Sequence, residues 1–373
     1  MKKIAFLTNI IPPYRLPVFN GISKKHKLDV LICKDKEANR QWKLEGERLF
    51  NTIKLRGFEL SLKNDLGDFR FLYLKFTIIF YLLFKRPDYI IIGDASFTSY
   101  LAAFVCKMLN IKYIWWNQLI PYTPINKGFV HKLRKFSYKH AYHHLVAGTL
   151  AKEYIKSFGI DEKLITIAPD AIDNQVYINY FNQFKSQREE LRQKYNINKD
   201  DFVFLYIGQF IKRKNMFLIL EGFLKAQQQK ENIKLFLVGG GEEELQIKEF
   251  IEKNNLTNSV IVLDFLQLEE LSKIYTLADA LVLLSESEPW GKVVNEAMCF
   301  GLPIFASYTI GATPDLVDDN TGIVVDEYKN IDILSNTYIK FTNHKWDKQI
   351  IQNKILSWNN ETSIARINKV VDS

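Results

Sequence analysis

The chain has 373 residues, of which 47% are hydrophobic and 25% charged, and its formal net charge is +8. That length is too great for one ordinary α/β core and fits two domains, and the composition excludes a disordered, fibrous or low-complexity protein. The charge is uneven: residues 1–180 hold 28 Lys and Arg against 15 Asp and Glu, residues 181–373 hold 22 against 27, and residues 101–150 contain seven basic residues and no acid. The first half is therefore expected to meet something anionic.

The start, MKKIAFLTNI, has a basic residue pair and an apolar run, the outline of a signal peptide. The run is short, Thr8 and Asn9 interrupt it, and Pro12-Pro13 follow without a small-residue cleavage site, so Ile4–Thr8 reads as a first buried strand. Leu28–Ile32, Tyr89–Ile92 and Lys112–Trp116 read as further strands, and Leu16–Lys25, Phe71–Phe84 and Phe97–Leu109 as helices between them. Phe71–Phe84 is 14 residues long and contains Lys75. A spanning helix needs about 20 apolar residues, so this one is read as buried or interfacial. Cys33, Cys106 and Cys299 are too scattered for a metal motif or a disulfide framework and point to a reducing, cytoplasmic compartment.

Residues 181–201 are charged and lack a buried stripe, and read as a linker between a domain at 1–180 and one at 202–345. The second domain repeats the alternation. Phe202–Ile207, Lys234–Val238, Val260–Leu263, Ala280–Leu284, Pro303–Ala306 and Ile323–Val325 are its expected strands. Asn215–Gln228, Glu242–Asn254, Leu268–Ala278 and Val293–Phe300 are its expected helices. The tail is helical, and 346–373 can cross back to the first domain. The fold class is thus α/β, with two Rossmann-like doubly wound domains and ligands expected in an interdomain cleft at the carboxyl ends of the strands.

The most informative stretch is Ser285–Gly301, SESEPWGKVVNEAMCFG, which follows a strand and opens a helix. Glu288 precedes the turn Pro289-Trp290-Gly291, and Glu296 falls in the helix. Carboxylates accept paired hydrogen bonds from sugar hydroxyls, and the amides of Gly291, Lys292 and Val293 at a helix N-terminus suit a phosphate oxygen. Two glutamates at this spacing also fit two solvated helix residues. A second stretch, Tyr206–Asn215 (YIGQFIKRKN), ends a strand at Gly208 and places Arg213 and Lys214 before a helix, where they can neutralise a diphosphate without a metal or read as a solvated basic turn.

Together these stretches resemble the glutamate–seven–glutamate motif of the family-4 retaining glycosyltransferases: Glu288-Pro289-Trp290-Gly291, Glu296-Ala297-Met298 and Gly301-Leu302-Pro303. Lys214 stands at the family's donor-phosphate lysine, but Gln209 replaces its usual arginine, with Arg213 as the substitute. Val238-Gly239-Gly240-Gly241, Ala168–Asp173 and Gly311–Val317 with Asp315 match further family segments. The resemblance implies a GT-B fold and retaining transfer from a nucleoside diphosphate sugar, which is substrate rather than cofactor, with no metal. It gives Glu288 the donor sugar, Glu296 the ribose and Arg213 with Lys214 the leaving diphosphate, with Gly208, Gln209, Gly239, Gly240 and residues 290–293 around the nucleotide.

The first domain departs from the family. Proline-rich Ile11–Arg15 stands where a glycine loop is common, and Tyr14 and Arg15 are candidates for acceptor or phosphate binding or for packing. Asn117 and Gln118 stand where a histidine is usual, and an amide can hydrogen-bond a sugar hydroxyl but cannot take up a proton. His131, His140, His143 and His144 fall in a basic helical region, Lys127–His144, with Lys132, Lys135 and Lys139 beside Phe129, Leu133 and Phe136. Such a helix can rest on an anionic membrane surface, with the protein peripheral on the inner face, or be an ordinary surface helix. No nucleic-acid motif accompanies the charge. The acceptor is expected to be a glycan or a lipid-linked, anionic molecule, as in surface polysaccharide synthesis. A sugar-nucleotide 2-epimerase and a non-catalytic sugar-nucleotide-binding subunit are the alternatives; a dehydrogenase is disfavoured because no G-x-G-x-x-G follows a strand.

Overall fold

Two parallel sheets carry the chain, one of seven strands and one of six. They are seen in a computed structural model that describes residues 1–35, 46–63, 69–123 and 128–373. The chain divides into two units, Met1–Ile172 with Trp358–Ser373, and Asp173–Ser357.

In the first unit the strands are β1 (Lys3–Thr8), β2 (Lys27–Ile32), β3 (Asn51–Lys54), β4 (Phe58–Lys63), β5 (Phe69–Leu74), β6 (Tyr89–Ile92), β7 (Lys112–Asn117), β8 (His143–Val146) and β9 (Ile165–Ile167). The helices are α1 (Leu16–Ser23), α2 (Thr77–Lys85), α3 (Phe97–Leu109), α4 (Gly128–Lys139) and α5 (Thr149–Lys156). The parallel order is β3-β2-β1-β6-β7-β8-β9, with β4 and β5 as a separate antiparallel pair. The order reverses between β1 and β6, as doubly wound folds require. Phe6, Phe19 and Trp116 meet edge to face beneath the sheet, at centroid distances of 4.7 and 5.7 Å. The last helix, Asn360–Asp372, seats Ile367 and Val371 in this same core.

In the second unit the helices α6 (Asn174–Phe184) and α7 (Arg188–Lys194) precede β10 (Phe202–Gln209), α8 (Met216–Gln227), β11 (Ile233–Gly240), α9 (Glu244–Lys253) and β12 (Val260–Leu263). Then follow α10 (Leu268–Leu277), β13 (Ala280–Leu283), α11 (Lys292–Cys299), β14 (Ile304–Ser307), α12 (Thr313–Leu316), β15 (Gly322–Val325), α13 (Ile331–Asn343) and α14 (Lys348–Leu356). The order β12-β11-β10-β13-β14-β15 is parallel throughout and reverses between β10 and β13. Gly222 lets α13 close on α8, since a Cβ there would lie 2.8 Å from Leu334 Cβ.

Two readings of the sequence are corrected. Phe71–Phe84 is not one helix: its first part is strand β5, and helix begins only at Thr77. The break falls at Lys75, whose buried ammonium reaches the Glu59 carboxylate at 3.0 Å, a partner that a continuous helix would not bring to it. Lys127–His144 is not one helix either. Lys127 lies outside the described residues, α4 ends at Lys139, and His143 and His144 belong to β8, which buries Leu145 and Val146 beside β7. The short β3 and β9 also escaped notice, because NTIK is mostly polar and exposed and ITI is only three residues long.

Residues 188–194 are tied to the second unit by charge. The Asp279 carboxylate accepts from Arg188 at 2.6 Å, from Arg192 at 3.1 Å and from the Val203 amide at 2.9 Å. The Arg192 side chain is 4% exposed, so losing its carboxylate strands a buried cation. Asp279→Ala is expected to destabilise this unit by about 3 kcal/mol, read as a lower urea midpoint; a variant unfolding with wild type would show that the pair is dispensable.

Candidate functional site

At the reversal point of the second sheet, β10 and β11 end in register, Gly208 opposite Gly239 and Gln209 opposite Gly240. A Cβ on Gly239, where φ is +144°, would sit 1.9 Å from the Gly208 carbonyl oxygen, so the two strand ends approach this closely only with glycine there. Beyond Gln209 the chain makes a short 3-10 turn, Lys212–Lys214, and Asn215 in the left-handed region starts α8.

β13 neighbours β10 and delivers the loop Leu284–Gly291 to the same edge. The turn and the loop are joined along their lengths. The Glu286 amide donates to the Arg213 carbonyl at 2.8 Å, and the Asn215 amide group donates to the Leu284 carbonyl at 2.8 Å. Arg213 donates to the Ser287 carbonyl at 2.6 Å and to the Glu288 carboxylate at 3.4 Å. Lys214 donates to that same carboxylate oxygen. On its other side the loop pairs with residues 309–312: the Glu288 amide donates to Thr309 at 3.2 Å, and Gly311 donates back to Glu288 at 2.8 Å. Gly311 must be glycine, because a Cβ would fall 1.9 Å from the Pro289 carbonyl oxygen.

Glu288, Arg213 and Lys214 are mostly buried, with side chains 17%, 15% and 11% exposed. Burial pushes the Glu288 carboxyl up, but the charges and hydrogen bonds of Lys214 and Arg213 together outweigh it and hold the group below the usual carboxylate range. Glu296 lies on α11, where Tyr275 donates to it at 2.8 Å and Tyr177 also bonds to it. Here burial wins and its carboxyl is raised, despite those bonds and the charge of Lys292. The two glutamates of one motif thus have opposite electrostatics. α11 begins immediately after Gly291, which adopts φ +90°, and a helix start directs its first amides outward from the helix.

The structure brings Glu288, Arg213, Lys214, Gly208, Gln209, Gly239 and Gly240 to one sheet edge, with Lys292, Val293 and Glu296 on the helix that follows the loop. The Trp290 indole is 3% exposed and donates to Asn295 at 2.8 Å, so it fastens the loop to α11. Asn117 lies at the end of β7 in the first unit. It is 1% exposed, donates to the Leu119 carbonyl at 2.7 Å and accepts from the Leu119 amide and the Tyr138 hydroxyl, which makes it the brace of its own loop. Arg15 is buried with its guanidinium 4.9 Å from the Trp116 ring centroid, a packing role. Beside it, Asp94 accepts from Ser96 and Ser99 at 2.8 and 2.7 Å. Sequence reading missed Asp94, and it missed Tyr177, Tyr275 and Tyr206. Tyr206 is fully buried close to Glu288 and Arg213 and donates to the Gln209 carbonyl. Of these only Tyr206 lay inside a motif.

Residues 187–355 match the family Glycosyl transferases group 1. The chain is 29% identical over 188 residues to a D-inositol 3-phosphate glycosyltransferase of Paenarthrobacter aurescens, covering 49% of this chain and 45% of that one. It is 26% identical over 192 residues to a lipopolysaccharide 1,2-N-acetylglucosaminetransferase of Salmonella typhimurium, covering 49% and 50%. It thus spans about half the length of these relatives. The fold extends further: the Anabaena protein HepE, crystallised with UDP-glucose, superposes over 100% of both chains with a TM-score of 0.68 at 15% identity, which shows a shared GT-B architecture.

The ionisation of Glu288 has a pH signature. Its folded value is depressed, so the stability it contributes is full above the ordinary carboxylate value and is lost as pH falls through the lower folded value. Between about pH 5 and about pH 3 the stability gap between wild type and Glu288→Gln should therefore narrow. Urea unfolding across that range checks this, and a constant gap would show that the Glu288 carboxyl is not held below its ordinary range.

Proposed function

We propose that this chain, whose residues 187–355 match the group 1 glycosyl transferases, is a retaining transferase that moves a sugar from a nucleoside diphosphate sugar to a glycan or lipid-linked acceptor. The observation that carries this reading is Glu288 held ionised between Arg213 and Lys214 at the reversal point of the second sheet. An ionised carboxylate there accepts hydrogen bonds from donor-sugar hydroxyls and fixes the sugar. Lys214 has three N–H donors and Arg213 five, so both can turn toward a diphosphate while keeping their geometry to Glu288.

As the bond from the anomeric carbon to the diphosphate oxygen lengthens, negative charge grows on the leaving group. Arg213, Lys214 and the start of α11 stabilise that charge most in the transition state, which is where stabilisation raises the rate. Gln209 supplies no charge in this set, which makes Arg213 the second cation. Glu296 holds the ribose: a buried carboxyl with a raised proton affinity is suited to hydroxyl partners. Uridine diphosphate glucose is the first donor to test, since the Anabaena neighbour was crystallised with it. The basic first half suits an anionic acceptor, such as a growing surface polysaccharide. Three buried cysteines that form no disulfide among the described residues suit a cytoplasmic site of action.

Glu288→Gln should lower donor turnover by roughly two to three orders of magnitude, the scale of a lost oriented hydrogen bond at the reacting centre. Glu296→Gln should instead weaken nucleotide binding by about tenfold, measured calorimetrically. Near wild-type behaviour of both on an accepted donor would overturn the assignment. Because two side-chain cations take the leaving-group charge, turnover should survive EDTA; an absolute need for added manganese or magnesium would contradict this mechanism.

A further inference from the structure

Among the described residues, most of the exposed large hydrophobic side chains belong to the first unit. Helix α2 seats Ile78 and Leu82 in the core and turns Phe76 (the residue before its first turn), Phe80, Leu83 and Phe84 outward, with Phe84 80% exposed. Those four recur at intervals of four, three and one, which is a single stripe on the face opposite the buried pair. Helix α3 packs against α2 and turns out Phe104 and Met108, the latter 71% exposed. Helix α4 packs against α3 and exposes Phe129. The surface is continuous at both ends: the rings of Phe58 and Phe76 lie 5.9 Å apart, and those of Phe104 and Phe136 lie 6.3 Å apart. An exposed apolar patch shared by three helices marks a contact surface.

The charge around the patch selects the occupant. Lys85 and Arg86 end α2, Lys107 stands beside Met108, and Lys132, Lys135 and Lys139 run along the open side of α4. From Phe76 to Ala151 the only acids are Asp88 and Asp94. A second copy docked face to face would press this cationic rim against itself, because a two-fold interface brings the same patch to both sides. Among the described residues no helix is long and apolar enough to cross a membrane. Aromatic and aliphatic side chains ringed by Lys and Arg are what an interfacial surface on anionic lipid requires.

We propose that the α2–α4 face of the first unit seats in the interfacial layer of an anionic bilayer, with the phenylalanines inserted and the lysines against the headgroups. This goes beyond the donor-site reading and does not rest on it. It also differs from adsorption by a basic helix alone, since salt screens the lysines but not the inserted rings.

The test uses the full chain and vesicles of phosphatidylcholine with or without about 30% phosphatidylglycerol. Wild type should sediment with the anionic vesicles, bind neutral ones at least tenfold more weakly, and keep part of its binding at about 0.5 M salt. Phe80→Ser with Phe84→Ser should abolish that salt-resistant part, whereas Lys132→Gln, Lys135→Gln and Lys139→Gln together should remove mainly the salt-sensitive part. Because the three native cysteines are buried, Phe84→Cys can be labelled with a polarity-sensitive dye even if the double serine variant folds poorly. Its emission should shift to the blue on anionic vesicles, while a label at Leu245→Cys, an exposed position of the second unit, should not shift. Equal response at both positions, no response at Phe84, or dimers in gel filtration that the serine variant dissociates while vesicles go unbound would overturn the proposal.

Discussion

The arrangement at the carboxyl edge of the second sheet depends on keeping one enclosed carboxylate charged. Burial works against ionisation of Glu288, and only the cations of the facing turn reverse the balance. The cations must therefore be held as firmly as the acid. Arg213 is fixed by its bond to the Ser287 carbonyl and by the Glu286 amide on its own carbonyl. The loop cannot swing away from them, because its far side pairs with Thr309 and Gly311. Below it, Thr309 and Ser307 both donate to the Ser285 carbonyl, at 2.5 and 3.0 Å. Sheet topology sets all of this in place: turn and loop leave adjacent strands at the point where strand order reverses.

The same loop feeds α11, and along that short path the electrostatics change sign of effect. Glu288 faces two cations and loses its proton more readily than usual; Glu296 faces two phenols and holds its proton more firmly. A phenol O–H donated to a carboxylate does favour the charged form, but two such bonds are weaker than two full charges at contact. The difference is therefore one of partner rather than depth.

Much of the fold was legible because its strands are short apolar runs at regular intervals and its helices have clear stripes. Tyr89–Ile92, Phe97–Leu109 and Val260–Leu263 match their expected limits residue for residue. What escaped notice had a physical reason. Strand β5 hides in an apolar run whose strand half and helix half have similar composition, and the buried Lys75–Glu59 contact marks the joint. Residues 188–194 look solvated because they are charged, yet Arg188 and Arg192 are spent on Asp279, 91 and 87 positions away. Glu288, Glu296, Arg213 and Lys214 stood out because they fall in two continuous stretches, Ser285–Gly301 and Tyr206–Asn215. Tyr177 and Tyr275 reach Glu296 from separate helices, and no local spacing announces them.

The two units also bury their arginines differently, and this bears on their surfaces. In the second unit Arg188, Arg192, Arg213 and Lys214 are neutralised by carboxylates. The first unit is poor in acids, and its buried guanidiniums use aromatic groups: Arg15 lies over Trp116 and Phe6, and Arg134 donates to the Tyr154 hydroxyl beside Tyr100 and Tyr138. A ring face or a phenol accommodates a cation without cancelling its charge. A core built this way leaves most of the unit's positive charge in place around the lysines outside it. The aromatic residues that make such a core workable are the same type that α2 and α3 turn outward. One compositional bias, rich in rings and poor in acids, thereby accounts both for how this unit buries arginine and for the kind of surface it presents.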